Sequence, residues 1–143
     1  MKRMGSLRRR PAVAAVLLGA LCTASFAGCA AQAPSSAPTH LEIMIRADGN
    51  AISAQFLLDC NGANALDSST LPNAADACKL ITDKPEIISS QDDPQAICTE
   101  IYGGPEKAEI SGELAGKTIS TSFSKHNGCA IERWNRAELL LDQ

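Results

Sequence analysis

Six cysteines in 143 residues constrain this chain more than any other feature of it. A cytosolic protein of this size seldom carries so many unless it binds metal. Cys22 and Cys29 lie in a leader-like stretch. Cys60, Cys78, Cys98 and Cys129 follow at gaps of 18, 20 and 31 residues. Zinc sites usually draw on close Cys-x-x-Cys pairs, which these gaps do not supply. In an exported chain the four read instead as two disulfides, for which three pairings exist. The sequential pairing, Cys60–Cys78 with Cys98–Cys129, is preferred, because it staples each helix to its neighbouring strand or loop. On the chain-entropy account each loop would contribute about 3–4 kcal/mol. Such a chain depends on that contribution. Aromatics make up 3% of it, with one Trp and three Phe, so the core must be aliphatic and alanine.

Residues 1–28 hold five cations and no acid. Met1–Arg10 reads MKRMGSLRRR, and Pro11–Phe26 is apolar and small. A basic head followed by a short apolar run is a secretory signal peptide, too short for a membrane span. It ends in Phe26-Ala27-Gly28-Cys29. That ending resembles a bacterial lipobox, in which a peptidase cuts before the cysteine and the thiol receives diacylglycerol. Cys29 is then a lipidation site, and the lipid anchor is the chain's only membrane contact, on the outer face of the cell membrane. Phe26 stands where leucine is usual. The alternative is an ordinary extracellular protein cut near Gly28 or Ala31. Residues 29–39, rich in Ala, Pro and Ser, cannot bury enough apolar surface to order and read as a disordered tether. Residues 40–143 are the folded domain. After residue 28 the chain carries eight cations and sixteen acids, a net charge of −8. Nucleic acid is a poor partner for that surface.

The domain opens with alternation. Leu41, Ile43 and Ile45 share one strand face, Asp48-Gly49 signals a hairpin, and Ala54, Phe56, Leu58 and Cys60 share a face of the next strand. Asn61–Pro72 reads as loop. Asn73 is placed to cap a short helix carrying Ala74, Cys78 and Ile81. Lys84–Pro94 is polar and reads as irregular. A second hairpin follows: Ala108, Ile110, Gly112 and Leu114 face in, Ala115-Gly116 turns, and Ile119, Thr121 and Phe123 alternate. From Asn127 the steps lengthen to three and four residues through Ile131 and Trp134, a second helix. Leu139–Leu141 either ends it or forms an edge strand. The sum is an α+β domain, an antiparallel sheet with two short helices packed on one face.

Catalytic chemistry is hard to find. After the leader the only imidazoles are His40 and His126, both expected to be solvated. No HExxH, GxSxG or phosphate-loop pattern occurs. Asp92-Asp93 reads as a solvated turn rather than a calcium site. The chain is not expected to be an enzyme, and no metal or cofactor is assigned.

One passage stands out: Cys98-Thr99-Glu100-Ile101-Tyr102-Gly103-Gly104-Pro105, just before the second hairpin. With Asn127-Gly128-Cys129 and the cysteine spacing, it resembles the subtilisin-inhibitor-like family of actinobacterial secreted proteins, over roughly Leu41–Leu141. The resemblance implies a five-stranded antiparallel sheet with two helices on one face. It implies sequential disulfides and a homodimer through the sheet. It also implies inhibition of an extracellular serine protease by a substrate-like loop. The reactive loop would be Cys98, Thr99, Glu100, Ile101 and Tyr102, with Cys98 at P3, Thr99 at P2, and Glu100–Ile101 as the reactive bond. Asn127 would brace the loop from behind. Three features depart from the family pattern. Glu100 replaces a hydrophobic or basic P1 residue, Asn61–Leu71 replaces a proline-rich insert, and a membrane tether is not typical. An acidic P1 residue implies a protease that accepts one. The alternative is a non-inhibitory surface lipoprotein using the same scaffold to bind an envelope protein or ligand.

Overall fold

Strand β1 (Thr39–Arg46) is the first element among the described residues and the middle strand of the sheet. In this computed structural model, residues 37–90, 93 and 95–142 are described. The leader, Cys22, Cys29, the tether up to Ser36, and Asp92 lie outside them. The remaining strands are β2 (Ala54–Asn61), β3 (Asn64–Ala65), β4 (Lys107–Leu114) and β5 (Lys117–Ser124). They form one antiparallel sheet in the order β3-β2-β1-β4-β5. The helices are α1 (Ala74–Asp83), α2 (Glu86–Ser89), α3 (Gly128–Arg136) and α4 (Glu138–Leu141). The architecture is α+β, as expected.

Alternation places the apolar side chains as the sequence predicts. Leu41 and Ile43 of β1, Leu58 and Cys60 of β2, and Ile110 of β4 are fully buried beneath the helices. Trp134, Ile81, Ile88 and Leu140 meet them from the helical layer. The opposite face is polar: Gln55 donates to Glu42, and Arg46 to Glu109 at 2.9 Å. An antiparallel sheet with one wet face needs this pattern, because a one-residue slip would exchange the two sets.

Both hairpin turns are locally determined. The Asp48 carboxylate accepts the Asn50 and Ala51 backbone N–H groups, at 2.8 and 2.9 Å, which holds its pKa below the usual aspartate range. Ala115 and Gly116 both have positive φ, 50° and 78°, the signature of a two-residue turn whose twist suits flanking strands. Within β4, Gly112 (φ 133°) lies so close to β1 that a Cβ would overlap the His40 carbonyl oxygen.

Several local expectations are corrected. Thr39 belongs to β1, pairs with Cys60 and accepts the Ala115 N–H, so the ordered strand starts one residue before His40. Asn61–Pro72 is not all loop, since β3 pairs Ala65 with Cys60. Lys84–Pro94 is not wholly irregular. Pro85 starts the single turn α2, which buries Ile87 and Ile88 and is tied to the sheet by the Thr121 hydroxyl donating to the Ile88 carbonyl at 2.6 Å. Asn73 does not cap α1 with its side chain. Its ψ of 35° lies outside the extended geometry a capping residue needs, and its Oδ1 is buried without a partner. Leu139–Leu141 falls in a separate helical turn, α4. His40 is not merely solvated, since its Nδ1 contacts the Asp59 carboxylate. The Ser68 hydroxyl, then His40, lower the Asp59 pKa against the effect of burial.

The four described cysteines pair sequentially. Cys60–Cys78 ties β2 to α1 with a Cα separation of 5.7 Å, and Cys98–Cys129 ties the segment before β4 to α3 at 5.4 Å. Both separations suit an unstrained bridge.

Candidate functional site

Residues 95–106, between α2 and β4, contain no helix or strand longer than an isolated turn. Ile97, Thr99, Glu100, Ile101 and Tyr102 are exposed. Ile101 is 60% and Tyr102 67% exposed, unusual for large apolar side chains in consecutive positions. The segment is nevertheless pinned. Cys98 is bonded to Cys129 at the start of α3. One residue on, the Thr99 carbonyl accepts the Gly128 N–H at 2.9 Å. Four residues after that, the Gly103 N–H donates to the Lys125 carbonyl at 2.7 Å. Between these clamps Glu100, Ile101 and Tyr102 form a three-residue arch over residues 125–128.

The clamps depend on glycine. A Cβ on Gly128 would collide with the Thr99 hydroxyl, and one on Gly103 would lie 2.9 Å from two carbons of Ile131. Close backbone approach is what glycine permits here. The segment beneath is itself fixed. Asn127 caps α3, its Oδ1 accepting the Ala130 N–H at 2.9 Å. Its amide nitrogen must then be the donor to His126 Nε2, at 3.1 Å. The His126 Nδ1–H therefore donates to the Ser124 hydroxyl at 2.6 Å. That polarity is the reverse of a histidine activating a serine nucleophile, which must accept the hydroxyl proton.

The predicted site residues thus come together. Cys98, Thr99, Glu100, Ile101 and Tyr102 are contiguous on the arch and its leading clamp, and Asn127 lies beneath. The Asn127 side chain is spent on the helix cap and His126. The bond to the loop comes from its neighbour, Gly128. Sequence reasoning placed Gly103 and Gly128 within the two motifs but gave them no clamping role, and it did not single out Lys125 or Glu106. The two glycines were the available signal, placed beside a cysteine and a proline. Among the described residues no group of three or more His, Cys, Asp or Glu side chains could hold a metal ion. Comparison of the chain with known protein families and with curated proteins returns no match.

Proposed function

We propose that this domain inhibits serine endopeptidases, offering Cys98–Tyr102 as a substrate-like segment with Glu100 at P1 and Ile101 at P1′. The observation that carries the reading is the exposed arch clamped at both ends. A protease binds an extended segment through its main chain and reads the side chains in pockets. A segment already held loses little conformational freedom on binding, so more of the contact energy appears as affinity. The Glu100 carboxylate selects the target. An apolar pocket would strip its hydration without return, and a pocket holding an aspartate would repel it. A pocket lined by histidine, arginine or serine donors would bind it through charge-assisted hydrogen bonds. The partner is therefore an extracellular serine protease with acidic P1 preference. The domain acts without a cofactor and is not itself an enzyme. Cys29 carries the lipid that holds it at the outer face of the cell membrane, and mass spectrometry of the native N-terminus tests that assignment. Dimerisation through the sheet belongs to the same reading and is tested by sedimentation.

The decisive assay sets the mature domain against a panel of serine proteases that includes glutamate-specific ones. Wild type is expected to inhibit the latter. Glu100→Lys should move inhibition toward trypsin-like enzymes and Glu100→Met toward subtilisin-like ones. If wild type and both variants leave every protease active while folded, the inhibitor reading fails. The domain is then a binding module of a surface lipoprotein.

A further inference from the structure

The leading end of the arch is held by a covalent bond. The trailing end is held by contacts that converge on one lysine. Its backbone carbonyl takes the Gly103 N–H. Its side chain runs inward, with Nζ 4.5 Å from the centroid of the Trp134 ring and 3.6 Å from Glu106 Oε1. Trp134 is buried, and its Nε1–H donates to Asp142 at 2.8 Å, so the ring is a fixed post. Glu106 turns its other oxygen beneath Gly104. That Oε2 is buried without a hydrogen-bond partner, in the space a Cβ on Gly104 would occupy. Gly104 has φ 143°, a conformation that side chains disfavour. The two glycines thus lie flat on a platform of Ile131, Lys125 and Glu106.

Stability alone does not account for this platform. An ion pair at 3.6 Å between partly exposed groups contributes little. A carboxylate oxygen buried without a donor costs free energy. What the arrangement does yield is a fixed position for the backbone at 103–104. We propose that Lys125 and Glu106 are positioning residues that fix the trailing end of the arch, with Trp134 as the post for Lys125. The functional consequence rests on the inhibitor reading. When a protease opens Glu100–Ile101, its serine becomes esterified to the Glu100 carbonyl and Ile101 becomes a free amine. If residues 103–104 are held, that amine stays beside the ester. It can attack it, re-form the peptide bond and return its proton to the departing serine. If they are loose, the amine drifts away, water takes its place and the inhibitor is consumed.

The test compares Lys125→Ala, Lys125→Arg and Glu106→Gln in the mature domain. Hydrogen exchange is read at two amides, Gly103 for the trailing clamp and Gly128 for the leading one. Lys125→Ala should raise exchange at Gly103 by about tenfold and change Gly128 by less than about twofold. Lys125→Arg, which keeps a cation between Trp134 and Glu106, should restore the wild-type rate. Glu106→Gln keeps size and shape, and it carries the comparison should Lys125→Ala unfold. It should also raise exchange at Gly103 selectively. Equal rises at both amides mean general loosening and overturn the proposal, as does no change at either. In parallel, a glutamate-specific endopeptidase should cleave Lys125→Ala to completion faster than wild type. A selective Gly103 response with no inhibition by wild type sinks the inhibitor reading and leaves the brace standing. Inhibition by wild type without that response does the reverse.

Discussion

Removing the two disulfides one at a time should rank them in the opposite order to their loop lengths. Cys98–Cys129 closes a separation of 31 residues and Cys60–Cys78 one of 18. Chain entropy alone assigns them about 3.7 and about 3.2 kcal/mol, favouring the longer loop. Burial reverses this. Cys60 and Cys78 are both fully buried in the core, whereas Cys98 and Cys129 are half-exposed. A buried Sγ is comparable to a methylene, worth about 0.8 kcal/mol, so truncating the first pair to alanine removes a further ~1.6 kcal/mol of packing. The Cys60→Ala/Cys78→Ala variant should lose about 5 kcal/mol in all, the Cys98→Ala/Cys129→Ala variant about 4. A gap of about 1 kcal/mol corresponds to about 4–8 °C in Tm for a domain of this size. Thermal and guanidinium melts of both variants measure it, with m-values compared to detect residual structure in the unfolded chain. If the Cys98/Cys129 variant proves the less stable of the two, burial is not the deciding term and the reasoning is wrong.

Gly112→Ala should destabilise by about 3 kcal/mol or more, because both its φ and the His40 carbonyl exclude a side chain, and denaturant titration measures the loss. Ala115→Asn should stabilise by about 0.5–1 kcal/mol, since asparagine tolerates positive φ and the backbone N–H bond to Thr39 is kept, and a Tm rise would register it. Asp59 carries a pH prediction. Its native pKa lies below that of the unfolded chain, so its contribution is full above the ordinary aspartate range, near about pH 4. It is lost as pH falls through the lowered native value, where the unfolded chain binds the proton first. Asp59→Asn should flatten the acid limb of stability against pH, and an unchanged slope between about pH 2 and 5 would count against that role.

The hairpins were legible because one sheet face is buried and the other wet, so Leu41, Ile43, Ile110 and Phe123 announce their side by spacing alone. β3 and α2 were not, because two or four residues cannot carry a period. They exist through tertiary contacts, Ala65 against Cys60 and the Thr121 hydroxyl on the Ile88 carbonyl. Asn73 shows the reverse case: a good capping residue whose backbone, once packed, cannot use it. At the arch, the cysteines and exposed residues could be read from the sequence. The clamps could not, since they are backbone groups of Thr99, Gly103, Lys125 and Gly128, and side-chain identity says little about where a carbonyl points.

The direction of β1 sets where the arch stands. At the strand's start Thr39 binds Ala115, and Ala37 lies against Gly116, so the chain enters the sheet beside the β4–β5 turn. At its far end Arg46 pairs with Lys107, and Gly49 packs on the Pro105 carbonyl at the exit from the arch. Entry and arch are thus separated by the full strand, seven steps or about 24 Å. A domain held from its N-terminal side would present Glu100 at the pole away from the attachment. On the inhibitor proposal, a protease closing over the arch would then approach from open solvent rather than squeeze between domain and surface. Moving the attachment to the C-terminal side would not give the same geometry by default, and a circular permutant opened at Ala115-Gly116 would keep it.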